Sequence, residues 1–335
     1  MLNSQKLVLC GSLLVLVLTG CKSEKGQNSV EAEEKAAKAT VTTPEVSAPG
    51  LLSTLSVATE PGKSVVLAYR MNDQLSHRFH TEQTSARTGP STMKNGIEQN
   101  FTLTRSMKAG EEEGTWLVEA AVKDVEVKPA QETKDKAAQD AVLRIKDALG
   151  ASRFSYKMNQ LGEVTEFSFS KGNQGFAGIG QVLEQIVKDA AITFPKDPVK
   201  PGDSWDASRS ETLDHGRISN VMTFDMKTTF LGFASLEGRC RDCAVLRTSG
   251  TVKISGEVKS DSTQGSTSGV GSTDSVVVFD PARGFVVEAE VVSSMAQQFV
   301  MKRGAGEITL EETNELKMTQ KWTGEIASES REKTQ

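Results

Sequence analysis

The chain has 335 residues, 37% of them hydrophobic and 25% charged, with a formal charge of −5. That is enough chain for one large domain or two ordinary ones. The acidic balance excludes the basic face that nucleic-acid binding requires. Aromatics are sparse at 5%, and Gly and Ser are plentiful while Pro is scarce, a mix that suits long strands joined by turns.

Met1 to Lys6 carries one positive charge, and Leu7 to Leu18 is an apolar run. The run is too short for a membrane-spanning helix, which needs about 20 residues, but it fits the core of a secretion signal. It ends in Leu18-Thr19-Gly20-Cys21, which resembles a lipobox. The resemblance implies cleavage after Gly20, leaving 1–20 as signal peptide, and acylation of Cys21 as the first mature residue. Lys22 follows where an aspartate would signal inner-membrane retention, so the expected location is the outer membrane, facing the periplasm. Residues 21–50 read as a lipidated cysteine and disordered tether, able to reach about 30 Å as a coil.

From Leu51 to about residue 325 the pattern is strand alternation. Ile97, Phe101 and Leu103 share one parity, and Trp116, Val118, Ala120 and Val122 continue it. The phase changes at Val125 and Val127, which predicts a bulge near Lys123. Ala138, Ala141, Val142, Ile145, Ala148 and Leu149 form one helical stripe with Gly150 as its stop. Ile179, Val182, Leu183, Ile186 and Ala190 form a second, ended before Pro195. Glycines 172, 175, 178 and 180 before it read as a flexible loop rather than a phosphate cradle, because no P-loop lysine follows. Met222, Phe224, Met226 and Phe230 alternate with polar residues, as do Val252, Ile254 and Val258. Ser260 to Asp274 is almost purely Ser, Thr and Gly and reads as a long mobile hairpin loop. Asp280-Pro281-Ala282-Arg283-Gly284 predicts a tight turn. In the last strand Ile308, Leu310, Leu316, Met318 and Trp322 share one parity. Its length, over about 50 Å if straight, implies a curved sheet.

The fold class expected is a β-rich α+β protein: a large curved antiparallel sheet, half-barrel-like, with two amphipathic helices on one face. One continuous sheet and two halves, 51–192 and 198–325, both fit, followed by a polar tail at 326–335.

Phe194 to Trp205, a Pro-rich bridge into Gly202-Asp203-Ser204-Trp205, follows a helix and precedes a run of strands. With the Val278-Phe279-Asp280 to Gly284-Phe285-Val286 hairpin, it resembles a family of uncharacterised bacterial lipoproteins. The order of elements is loosely similar to the half-barrels of periplasmic lipoprotein and lipid carriers, an analogy that establishes no function.

Cys240 and Cys243 are the only thiols left once Cys10 departs with the signal and Cys21 is acylated. In an oxidising compartment they read as a structural disulfide pinning a turn. A redox pair lacks its strand–helix context, and zinc would need two more ligands from His77, His80 and His215. His77 and His80, three apart in a strand, face opposite ways. Asp203, Ser204 and His215 have the residue types of a hydrolase triad, but the first two sit in a Pro-Gly turn and no nucleophile elbow is present. Trp205 reads as a core anchor, and Glu111 to Glu113 and Glu311-Glu312 as solvated surface. No catalytic residue, metal or cofactor is expected. The function these features imply is that of a non-enzymatic, membrane-anchored envelope lipoprotein. Its partner is the membrane through Cys21, together with either an apolar ligand in the concave face of the sheet or an envelope protein that it scaffolds.

Overall fold

The computed structural model describes residues 9–11, 13–15, 42–60, 62–72, 74–88, 93–129, 136–169, 177–214, 218–260, 263–303 and 308–326. The lipobox with Cys21, most of the tether, His215 and the polar tail beyond Ile326 lie outside them. Near the N-terminus β1 (Leu9–Gly11) and β2 (Leu13–Val15) pair with each other as a separate two-stranded sheet.

The remaining strands make one 11-stranded antiparallel sheet. They are β3 (Leu75–Thr88), β4 (Met93–Ala109), β5 (Thr115–Pro129), β6 (Arg153–Asn159), β7 (Val164–Phe169), β8 (Ser204–Asp214), β9 (Ile218–Leu236), β10 (Cys240–Ser260), β11 (Thr263–Asp280), β12 (Phe285–Arg303) and β13 (Ile308–Ile326). Their order is β7-β6-β5-β4-β3-β13-β12-β11-β10-β9-β8. The sheet is continuous: β13 pairs with β3, from Ile326↔Leu75 to Thr313↔Thr88, and joins the first strands of the chain to the last. Strands of 19 to 21 residues would reach 60 Å or more if straight, at about 3.3 Å per residue. They coil instead, and the curled sheet presents one concave face.

Small residues on that face permit the curl. Gly250 and Gly271 occupy inward positions of β10 and β11, and a Cβ at Gly250 would stand 2.2 Å from the Asp225 carbonyl oxygen. At Gly271 it would stand 2.8 Å from that of Ser294. Neighbouring backbone therefore approaches more closely than any side chain would allow. The stretch 260–274, expected as a loop, is corrected here: β11 begins at Thr263, and pairing with β10 runs to Ser260↔Thr263. The inward parity of this strand is carried by Gly265, Gly269 and Gly271 rather than by apolar side chains, with facing residues of β12 such as Met295 and Gln297 covering them.

The expected bulge is present. Asp124 takes φ 52°, and the β4–β5 register shifts between Asn100 and Thr102. Val122, before the bulge, and Val127, after it, are both buried.

Among the described residues there are three helices: α1 (Gly50–Thr54), α2 (Lys136–Gly150) and α3 (Ala177–Ala190). The stripe of α2 buries Ala141, Ile145, Ala148 and Leu149 against β5. Gly150 is the last residue of the helix and is not left-handed. The turn is closed instead by Ser152, whose hydroxyl donates to the Ala148 carbonyl (2.8 Å) and whose N–H donates to that of Leu149 (2.9 Å). α3 buries Val182, Leu183, Ile186, Val187 and Ala190. It lies between the two edge strands, with Phe169 of β7 beside Gly180 and Arg209 of β8 bonded to Asp189.

Residues 42–50, expected as the end of the tether, lie instead on the outer face of the sheet. Ser272 donates to the Pro44 carbonyl, and Leu51 N–H donates to Glu290 at 2.5 Å.

Candidate functional site

The registers stack inward-facing residues into rows across the concave face. One row is wholly apolar: Phe230, Leu246, Val277, Ala289, Trp322, Phe79 and Phe101. Phe79 stacks on Phe101 and on Trp322, with ring centroids 5.0 and 5.6 Å apart. The next row is mostly polar: Thr228, Thr248, Ser275, Val291, Gln320, Thr81 and Gln99. Thr228 and Thr248 share a hydrogen bond of 2.8 Å, and Ser275 donates to the Thr248 carbonyl at 3.3 Å. Two rows further along, Phe224, Val252, Gly271, Met295 and Leu316 are again apolar.

The β9 to β13 part of the polar row and of the second apolar row, with Val277 and Trp322 of the first, forms one wall of a cavity of 690 Å³. Lys188 and Asp189 of α3, the segment Ala191–Thr193 and strand β8 line it from the other side. Four of the charges at this rim, on Lys188, Asp189, Arg209 and Glu211, are engaged in ion pairs. Arg209 bonds Asp189 and lies 3.3 Å from Glu211, while Lys188 holds Glu184 at 2.8 Å and Glu211 at 3.6 Å. Burial works against the Arg209 charge, but Asp189 and Glu211 outweigh it and hold the guanidinium pKa above its ordinary value. Burial raises the pKa of Glu211, and Arg209 and Lys188 offset only part of the rise. Arg209 also stacks on Phe224, 4.3 Å from the ring centroid. Trp205 is half-buried, and its indole N–H donates to the Thr193 carbonyl at 2.8 Å, fixing the chain just after α3.

The other sequence candidates are spread through the fold. Asp203 caps its own turn by accepting from Lys200 N–H (2.9 Å), and Ser204 shares a bond with Thr229 (3.0 Å). Asp203 thus takes the turn-making role its position predicts, whereas Ser204 opens β8 and bonds across to its β9 neighbour instead of to the turn backbone. Cys240 and Cys243 are joined as a disulfide, Cα atoms 6.1 Å apart, just after the β9–β10 turn. His77 is buried on the inner face, whereas His80 bonds Asn100 (2.7 Å) and Glu82 (3.2 Å) on the outer one. Among the described residues no group of three or more His, Cys, Asp or Glu is placed to hold a metal ion. None of the described helices is long and apolar enough to cross a membrane.

The polar row went unread in the sequence. Its signal lies in the gaps of the apolar patterns: Thr228 between Met226 and Phe230, Gln320 between Met318 and Trp322, and Thr81 two beyond Phe79.

No protein-family model matches the chain, and no curated protein matches it. Among solved structures it is similar to the outer membrane protein OprD from Pseudomonas aeruginosa, at 7% identity over 76% of this chain and 95% of that one, with a TM-score of 0.24. An outer membrane channel from Pseudomonas putida F1 matches at 8% identity over 79% of this chain and 100% of that one, with a TM-score of 0.17. Likeness this slight carries no argument about function or location.

Proposed function

We propose that this protein is a non-enzymatic lipoprotein of the bacterial envelope that holds an apolar ligand in the concave face of its sheet. The observation that carries this reading is the cavity itself. Its 690 Å³ falls within the range of about 300–1,000 Å³ common for small-molecule sites. Phe224, Met226, Val252, Val291, Met295, Leu316 and Met318 face it. Each methylene of a ligand buried there contributes about 0.8 kcal/mol. The anchor is the acylated Cys21, supported by the apolar run and the Leu18-Thr19-Gly20-Cys21 motif. Two or more acyl chains hold such a protein on a membrane stably. With Lys22 next, that membrane is the outer one, and the domain faces the periplasm.

The test is native mass spectrometry of the Cys21→Ser chain, secreted through its own signal and purified without detergent. A reproducible added mass that extracts into organic solvent is expected. A clean unliganded mass in repeated preparations overturns the ligand reading. Incorporation of radiolabelled palmitate into the wild-type protein, abolished by Cys21→Ser, checks the anchor separately.

A further inference from the structure

The large sheet is curled but open: β7 and β8 stand at opposite ends of its strand order. α3 lies between these two edges and so makes a seam with each.

The two seams differ in chemistry. Toward β7 the contact is apolar and close. A Cβ at Gly180 would stand 2.8 Å from the Phe169 ring, and Phe169 packs in turn on Phe167 and Phe154, with ring centroids 5.1 and 5.7 Å apart. Toward β8 the contact is ionic. Arg209 bonds Asp189 and the Lys188 carbonyl, and Lys188 reaches Glu211. All four of these residues line the cavity. Parting the first seam would bare aromatic surface to water. Parting the second would hydrate its charges, which offsets most of what the pairs contribute. The closed ionic seam also leaves two atoms short. Arg209 Nε and Glu211 Oε1, 3.3 Å apart, are sealed from solvent with no hydrogen-bond partner among the described residues. Water entering as the seam parts would supply those bonds.

The ionic seam has a fixed corner. The Trp205 indole of β8 donates to the Thr193 carbonyl (2.8 Å), while Ile192 N–H donates to the Tyr69 hydroxyl (3.0 Å) and Phe194 N–H to the Leu161 carbonyl (2.8 Å). Away from that corner β8 and α3 are joined first by Arg209 with Asp189, then by Glu211 with Lys188.

We infer that the seam between α3 and β8 is the gate of the cavity. It opens about the Trp205–Thr193 corner when the two ion pairs part, and a ligand enters and leaves there. This rests on the ligand-binding reading above and adds the route.

The experiment follows 1-N-phenylnaphthylamine entering and leaving the full-length Cys21→Ser protein, depleted of bound lipid, by stopped-flow fluorescence. Arg209→Gln should raise the association and dissociation rates together, by about fivefold each. Lys188→Gln should raise both as well, and it carries the test should Arg209→Gln not fold. Raising NaCl from about 0.05 M to about 0.5 M should speed exchange in the wild type more than in Arg209→Gln. Phe169→Leu, in the apolar seam, should leave both rates as they are. Unchanged rates in the Arg209 and Lys188 variants overturn the gate while the ligand-binding reading stands. So does a rise in the dissociation rate alone, which would make the side chain a ligand contact, and so does faster exchange in Phe169→Leu only, which would put the entrance at β7. Failure of the reporter to bind any of these proteins overturns both readings.

Discussion

His77 enters the core by the same alternation that places Phe79 there, and it is sealed between neighbours that keep it neutral. Its Nε2 lies 3.2 Å from the Val286 carbonyl and donates to it, while Nδ1 accepts from Arg105 at 3.0 Å. Arg105 in turn donates to the Tyr156 hydroxyl at 3.3 Å. Burial, and then the Arg105 charge, push the His77 pKa well below 6.5, against the smaller opposing effect of the Val286 bond. Below about pH 6.5 the unfolded chain binds a proton that the folded one refuses, so stability falls as pH drops, by up to about 1.4 kcal/mol per pH unit. His80 acts in the opposite direction: partial burial lowers its pKa, but Asn100 and Glu82 leave it raised on balance. Urea unfolding at pH 8 and pH 5 should show the wild type weaker at pH 5 and a smaller difference in His77→Gln. An equal difference in both proteins would show that His77 is not the group responsible. The period-2 rule was enough to put His77 and His80 on opposite faces. It said nothing of Arg105, which reaches His77 only because β3 and β4 are adjacent and in register.

At the scale of elements, α3 is the piece that completes the cavity. Its amphipathic stripe was plain in Val182, Leu183 and Ile186, because side-chain burial and helical period coincide there. The polar side of the helix carries the contacts with β8, and these required the fold. Arg209 bonds Asp189 and also donates to the Lys188 carbonyl at 3.5 Å, at the C-terminal end of the helix. The Arg209 side chain retains 35% exposure and that of Asp189 25%, so solvent screens the pair and its contribution is about 1 kcal/mol. Arg209→Ala should speed amide exchange in residues 181–190 about fivefold and leave β10 to β13 unchanged. Uniform acceleration across the sheet would mean that the contact supports the whole fold rather than the helix. β11 teaches the reverse lesson about legibility. A strand whose inward positions are glycine, threonine and serine from Gly265 to Ser275 carries no hydrophobic period, and it reads as a loop until the bulk of β12 is brought against it.

Across the whole molecule, the pairing of β13 with β3 joins what two half-domains would have kept apart. Phe79, Phe101 and Trp322 stack across that junction, so the two ends of the chain share one apolar row. Unfolding should therefore be a single transition. Trp116 reports on β5, third from one edge of the sheet, and Trp205 on β8, the opposite edge. In chains retaining only one of these two tryptophans, the denaturant midpoints from fluorescence should coincide. Separate midpoints would show that the halves unfold independently despite their shared sheet.

The sequence by itself determined the strands with strong alternation, both long helices, the bulge, the turn at Asp280 and the opposite facing of the two histidines. Each of these depends on a period or a backbone preference that a short stretch of chain carries in its own residues. The tertiary structure alone decided that one sheet spans the molecule, that Gly250 and Gly271 let it curl, and that Thr228, Gln320 and Thr81 form a row inside it. Those features depend on which strands become neighbours and in what register. A residue facing a cavity or a packed partner carries no local mark of the difference.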